Sequence, residues 1–104
     1  MRILKDFEGR QIRLTDERLE HILDHPEMRG LPPSIEETLA YPQKVVRSMS
    51  DTSAWLYYRY YLGTVVKDKY LCVIVKLEKS DAFVLTAYLT DRIKQGEILW
   101  PKRK

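Results

Sequence analysis

The two histidines of the chain, His21 and His25, stand four residues apart. On a helix that spacing sets both rings on one side, with Arg18 one turn earlier on the same side. Imidazole is the side chain whose ordinary pKa lies nearest physiological pH, so the pair suits proton transfer. The same spacing suits two ligands of a metal ion. A metal site needs at least one more donor, however, and the glutamate that a zinc-protease helix carries between its histidines is missing here. No metal or other cofactor is expected. A plainer role is open to His25, which can close the helix end, where a cation meets the negative end of the dipole.

A second group comes from the run Tyr57-Tyr58-Arg59-Tyr60-Tyr61. Aromatic faces with an interleaved cation suit single-stranded nucleic acid, through base stacking and phosphate contact. In a strand, two of these tyrosines must face the interior, where each phenol needs a partner. Cys72 has no base beside it in sequence and reads as a small buried strand residue.

Side chains alternate across a strand. Leu71, Val73, Val75 and Leu77 then share one face of their strand, and Phe83, Leu85, Ala87 and Leu89 share one face of the next. Around the tyrosine run the alternation separates Leu56, Tyr58, Tyr60 and Leu62 from Trp55, Tyr57, Arg59 and Tyr61. If the more apolar set of each strand covers the helices, the other face gathers Arg59, Lys76, Thr86, Tyr88 and Thr90. Exposed sheet faces also carry Thr, Tyr and Lys simply because these residues combine β-propensity with solubility.

The elements that must position these groups follow from period and punctuation. Residues 3–7 and 11–14 flank Glu8-Gly9-Arg10, where Gly9 can take the positive φ of a tight turn, and predict a β-hairpin. A helix starts at Thr15 with acidic Asp16 and Glu17 in its first turn, buries Leu19, Ile22 and Leu23, and ends before Pro26. Ser34-Ile35-Glu36-Glu37 has the form of a capping box, and its helix runs to about Tyr41, with Ile35 and Leu39 inward. After Pro42 the period changes to two, predicting strands over 44–50, 55–66, 70–78 and 82–90, joined by polar turns and therefore antiparallel. A last turn after Asp91 carries Ile93, Ile98 and Leu99, with Trp100 folded back onto the core. The expected architecture is α+β: an N-terminal β-hairpin and two short helices packed on an antiparallel four-stranded meander.

Size and composition agree with one domain over residues 1–100 and a basic tail over 101–104. The 104 residues allow one core, and five Pro and four Gly leave no low-complexity linker. The longest apolar runs fall far short of the ~20 residues that cross a bilayer, and charges occupy the N-terminus where a signal peptide needs apolar residues. One cysteine makes no internal disulfide, so the cytoplasm is the expected compartment. The net charge, 18 − 15 = +3, with a pI of about 9.0, permits an acidic partner such as RNA without requiring one.

The pattern Leu14-Thr15-x-Glu17-Arg18-x-x-His21-Ile22-x-x-His25-Pro26-Glu27 resembles the opening of phage- and toxin-associated domains of the barnase–EndoU–colicin–RelE superfamily. So do Val75-Lys76, the stretch Phe83-Val84-Leu85-Thr86-Ala87-Tyr88, and the ending Ile93-Lys94-x-Gly96-x-Ile98-Leu99-Trp100. The resemblance covers about residues 12–100. It implies a RelE/barnase-like fold and a toxin-like or phage-associated endoribonuclease that works without metal. There the ribose 2′-hydroxyl attacks the adjacent phosphorus, leaving a 2′,3′-cyclic phosphate and a free 5′-hydroxyl. Carried onto this chain, His21 matches the helix histidine assigned to proton transfer and His25 is a second candidate. Arg59 or Lys76 would stabilise phosphate charge, Thr86 matches the Ser/Thr of the late strand, and Tyr88 would orient the phosphate or stack a base. RNA is the implied substrate, and an acidic antitoxin or immunity-type protein the implied partner. Members of the superfamily vary their catalytic residues and some are degenerate, so the alternative is a non-catalytic RNA- or protein-binding module on the same fold.

Overall fold

The computed structural model describes residues 1–102; Arg103 and Lys104 of the expected basic tail lie outside the described residues. The chain opens with a hairpin of β1 (Arg2–Lys5) and β2 (Gln11–Leu14). Its turn uses Gly9 at φ +83°, the left-handed region that a Cβ disfavours. Helix α1 (Asp16–Leu23) follows, and the Thr15 hydroxyl caps it by accepting from the Arg18 amide. A single 3₁₀ turn at Pro26–Met28 leads to α2 (Pro32–Ala40). This second helix begins two residues before Ser34, with its prolines in the first turn and no side-chain cap, so the capping box does not form. Proline suits that place because its missing N–H is one the helix leaves unpaired anyway.

Among the described residues the sheet has seven strands, not four, and it is mixed. Strands β3 (Lys44–Ser48), β4 (Ala54–Thr64), β5 (Lys67–Glu78) and β6 (Asp81–Thr90) lie side by side, each antiparallel to the last. The order across the sheet is β1-β2-β6-β5-β4-β3-β7. The hairpin adds β2 parallel to β6, through Arg13 opposite Phe83. The stretch expected as a closing turn is a strand, β7 (Gly96–Trp100), antiparallel to β3. Gly96 makes that pairing possible, because a Cβ there would stand 2.3 Å from the Arg47 carbonyl oxygen. Trp100 is 38% exposed, with its ring against Phe7 and its Nε1–H donating to the Pro42 carbonyl.

Both helices pack on one face of the sheet, where Ile22, Ile35, Leu39, Tyr57, Val73 and Val84 form the main core. The other face holds a smaller cluster of Val46, Leu56, Tyr58 and Cys72, with Ile74, Tyr88 and Ile93 packed against it. No helix among the described residues is long and apolar enough to cross a membrane.

Two face assignments differ from the alternation read in sequence. In β4, Trp55, Tyr57, Arg59 and Tyr61 point to the helices, and Leu56 and Tyr58 point away. The phenols decide this. Tyr57 is fully buried and donates to Asp6 at 2.7 Å, while Tyr61 donates to Glu37 at 2.6 Å. In β6 the register slips between Ile74 and Val75 of its neighbour, so that Val84 pairs with Val75 and Thr86 with Ile74. Leu85 is the extra residue of this β-bulge. Phe83, opposite Lys76, and Leu85 therefore leave the face shared by Ala87 and Leu89.

Candidate functional site

The structure divides the six residues singled out for catalysis between two sides of the sheet. His21 is exposed on α1, whose Ile22 is anchored in the helix-face core. His25 is exposed too, with Nδ1 3.8 Å from the Glu27 carboxylate. Arg59 also lies on the helix side: its guanidinium donates to the Tyr41 carbonyl at 2.8 Å and stands 3.6 Å from the Glu37 carboxylate of α2. Lys76, Thr86 and Tyr88 lie on the second face, opposite Phe83, Ile74 and Cys72 respectively. The histidines thus belong to the helix side of the sheet and Lys76 to the other. The expected gathering of Arg59 with Lys76, Thr86 and Tyr88 therefore does not occur, because β4 turns its arginine toward α2.

Lys76 has its own partner. Its ammonium lies 2.5 Å from the Asp51 carboxylate. Asp51 also accepts from the Ser53 amide and hydroxyl. Hydrogen bonds from Lys76 first, then Ser53, hold this carboxyl down to about 2. A depressed carboxyl contributes its stabilisation above the ordinary Asp range near 4, and that contribution is lost only as pH falls through about 2. At neutral pH the pair is closed. Tyr88 and Tyr58 flank Cys72 on neighbouring strands. Burial, and then the neighbouring thiol, push both phenols up, while burial pushes the Cys72 thiol up to about 11. All three keep their protons at neutral pH, so none of them is a base or a nucleophile there.

What the second face does offer is a trough. The segment joining β6 to β7, residues 91–95, crosses the face: Ile93 packs on the smaller cluster, and the Lys94 amide donates to the Tyr58 hydroxyl at 3.1 Å. Two adjoining hollows open beside this segment. The larger, of about 620 Å³, is lined by Lys44, Val46, Met49, Lys94, Glu97 and Ile98, among others. The smaller, of about 330 Å³, lies over Ala54, Leu56, Ile74 and Leu85. Val46, Met49, Lys94 and Gln95 line both. Glu97 is ion-paired with Arg47 at 3.2 Å. Lys44 and Lys94 form no ion pair among the described residues. Further along the same face, Tyr60 and Tyr70 meet edge to face at 4.8 Å, with Tyr60 exposed.

Sequence reasoning passed over Lys44 and Lys94. Lys44 opens a strand whose alternation with Val46 and Ser48 does place it on this face. Lys94 lies in an aperiodic connection, and nothing local says which way that connection runs. Among the described residues no group of three or more His, Cys, Asp and Glu side chains could hold a metal ion.

No family model, no curated protein and no solved structure matches the chain. What these residues do is therefore read from their placement.

Proposed function

We propose that the second face of the sheet binds single-stranded RNA, as a non-catalytic module. The observation that carries this reading is that Lys44 and Lys94, free of carboxylate partners among the described residues, both line one trough beside Met49, Ile93 and Ile98, while its carboxylate, Glu97, is taken by Arg47. Phosphates would lie against the two ammonium groups. Bases would meet the exposed Met49 and Ile98 and, beyond the trough, the Tyr60–Tyr70 pair. This is the combination of cationic groove and stacking platform by which single strands are held without sequence readout. A metal-independent endoribonuclease on the same face would have to draw its acid and base from Lys76, Thr86 and Tyr88. Lys76 is paired with Asp51, and Tyr88, which keeps its proton, offers an acid but no base, so this face supports binding better than cleavage. An acidic neutralising protein of the kind the superfamily resemblance implies would compete for the same two lysines.

Fluorescence anisotropy with a labelled single-stranded oligoribonucleotide tests the reading. With two phosphates neutralised, log K should fall against log salt with a slope of roughly −1.4. Lys44→Glu and Lys94→Glu should each weaken binding, His21→Ala should leave it unchanged, and the RNA should stay intact in EDTA. Binding indifferent to both charge reversals would sink the assignment. RNA cleaved in EDTA by the native protein but not by His21→Ala would restore the endoribonuclease.

A further inference from the structure

The smaller hollow is shaped by a specific backbone feature. Without the bulge in β6, Leu85 would not face this side; with it, Leu85 joins Ala54, Leu56 and Ile74 in an apolar floor. The rim is polar on two sides. Ser48, Ser50 and Asp51, from the end of β3 and the loop after it, stand on one, and Lys94 and Gln95 of the crossing segment on the other. Apolar walls with a few convergent polar groups mark small-ligand sites, and about 330 Å³ is near the lower end of their ~300–1,000 Å³ range. That shape suits one flat heterocycle, apolar on its faces and polar on its edges. Lys94 lines both hollows and so adjoins the smaller one as well as the larger.

We propose that this hollow takes one unstacked nucleobase of the bound strand, with Lys94 on the adjoining phosphate and Asp51, Ser48 and Ser50 facing the base edge. The inference rests on the single-strand reading and adds to it a subsite for one nucleotide. It separates the two hollows by role: the larger follows the backbone, and the smaller holds a base. Both Asp51 oxygens already accept, Oδ1 from the Ser53 amide and hydroxyl and Oδ2 from Lys76, so what it offers a ring N–H or exocyclic amine is the remaining lone pair of Oδ2, held in place by the Lys76 contact.

The experiment is an abasic scan. A short oligoribonucleotide is compared with versions carrying one abasic residue at each successive position, using the native protein, Ser50→Leu and Leu85→Ala. Ser50→Leu crowds the mouth from an exposed loop position, and Leu85→Ala removes part of the floor; circular dichroism confirms that each is folded. One abasic position should cost about tenfold in affinity with the native protein, the scale of a single stacked base. Each variant should lose a comparable factor with the intact strand and show little further loss at that abasic position, since both changes remove the same contact. Salt-sensitive binding with a flat scan and two neutral variants would overturn the base subsite and leave the strand-binding reading standing. If no salt-sensitive binding occurs at all, both fall.

Discussion

Asp6 is almost wholly buried, and each of its carboxylate oxygens is occupied. Oδ1 accepts from the Glu8 and Arg10 amides, which closes the first hairpin's turn. Oδ2 accepts from the Arg10 guanidinium and from the Tyr57 hydroxyl fifty-one residues away. Arg10 in turn lies over the Trp55 ring at 4.6 Å. One carboxylate thus joins a local turn to the central part of β4, and it explains why that strand turns its odd-numbered side chains inward. Replacing Asp6 by Ala leaves a buried phenol without an acceptor and a guanidinium with only the half-exposed Glu8, at 3.6 Å, as counter-charge. Removing one partner of a buried pair typically costs 3–5 kcal/mol; with Arg10 about one-third exposed, the lower end applies. Asp6→Ala should lose about 3 kcal/mol in urea denaturation, and a loss below about 1 kcal/mol would show that the hairpin is held by its apolar contacts alone.

Element by element, β6 carries the least regular feature of the sheet and the one with most bearing on the trough. Its bulge lets two incompatible alternations coexist in ten residues: Ala82 and Val84 inward before it, Ala87 and Leu89 inward after it. Deleting Leu85 joins Val84 directly to Thr86, and their partners Val75 and Ile74 are already consecutive. The deletion should therefore fold with every remaining side chain on its present face, at a loss of about 1 kcal/mol for one half-buried leucine. Deleting Ala87 is the contrasting case. It shifts Tyr88, Leu89 and Thr90 to the wrong faces, sending a phenol into the core and a leucine out of it. Thermal melts followed by circular dichroism should show a cooperative transition for the first deletion and none for the second. Equal behaviour of the two would mean that the register is not held by face. The bulge was not legible in sequence, because Phe83, Val84 and Leu85 are all apolar and an alternation through them reads equally well with either phase. Strand β5 was legible: Leu71, Val73 and Val75 lie inward as the period demands, since Lys76 and Glu78 mark the other phase.

For the molecule as a whole, the question is how an N-terminal hairpin is held to the rest of the sheet. Its one ladder contact is parallel, at Arg13 and Phe83. Arg13 reinforces that contact with two hydrogen bonds to Asp81, at 2.8 and 2.6 Å, and with its guanidinium 5.6 Å from the Phe83 ring centre. At the other end, Phe7 reaches Tyr57 and Trp100, so the hairpin turn packs against the main core. Arg13→Ala should raise amide hydrogen exchange in β1 and β2 while the centre of β5 keeps its protection, because the hairpin joins the ladder at the sheet's edge through a single register pair. If protection in β5 falls by the same factor, hairpin and sheet unfold as one unit. The same long-range arrangement decides the functional reading: α1 is laid on the inner face beside β6, and its histidines go with it.

What sequence alone determined here is whatever is written within a few residues. The α1 cap at Thr15, the Gly9 turn, the change from helical to alternating period after Pro42 and the inward face of β5 depend only on local sterics, capping and period. The inward face of β4, the bulge at Leu85, the pairing of β7 with β3 and the side of the sheet on which His21 and His25 lie were decided by tertiary structure. Each is a choice between two locally equivalent options. The choice is made by partners far along the chain: Asp6 and Glu37 for the phenols, Arg47 and Val46 for Gly96, and the sheet's inner face for Ile22.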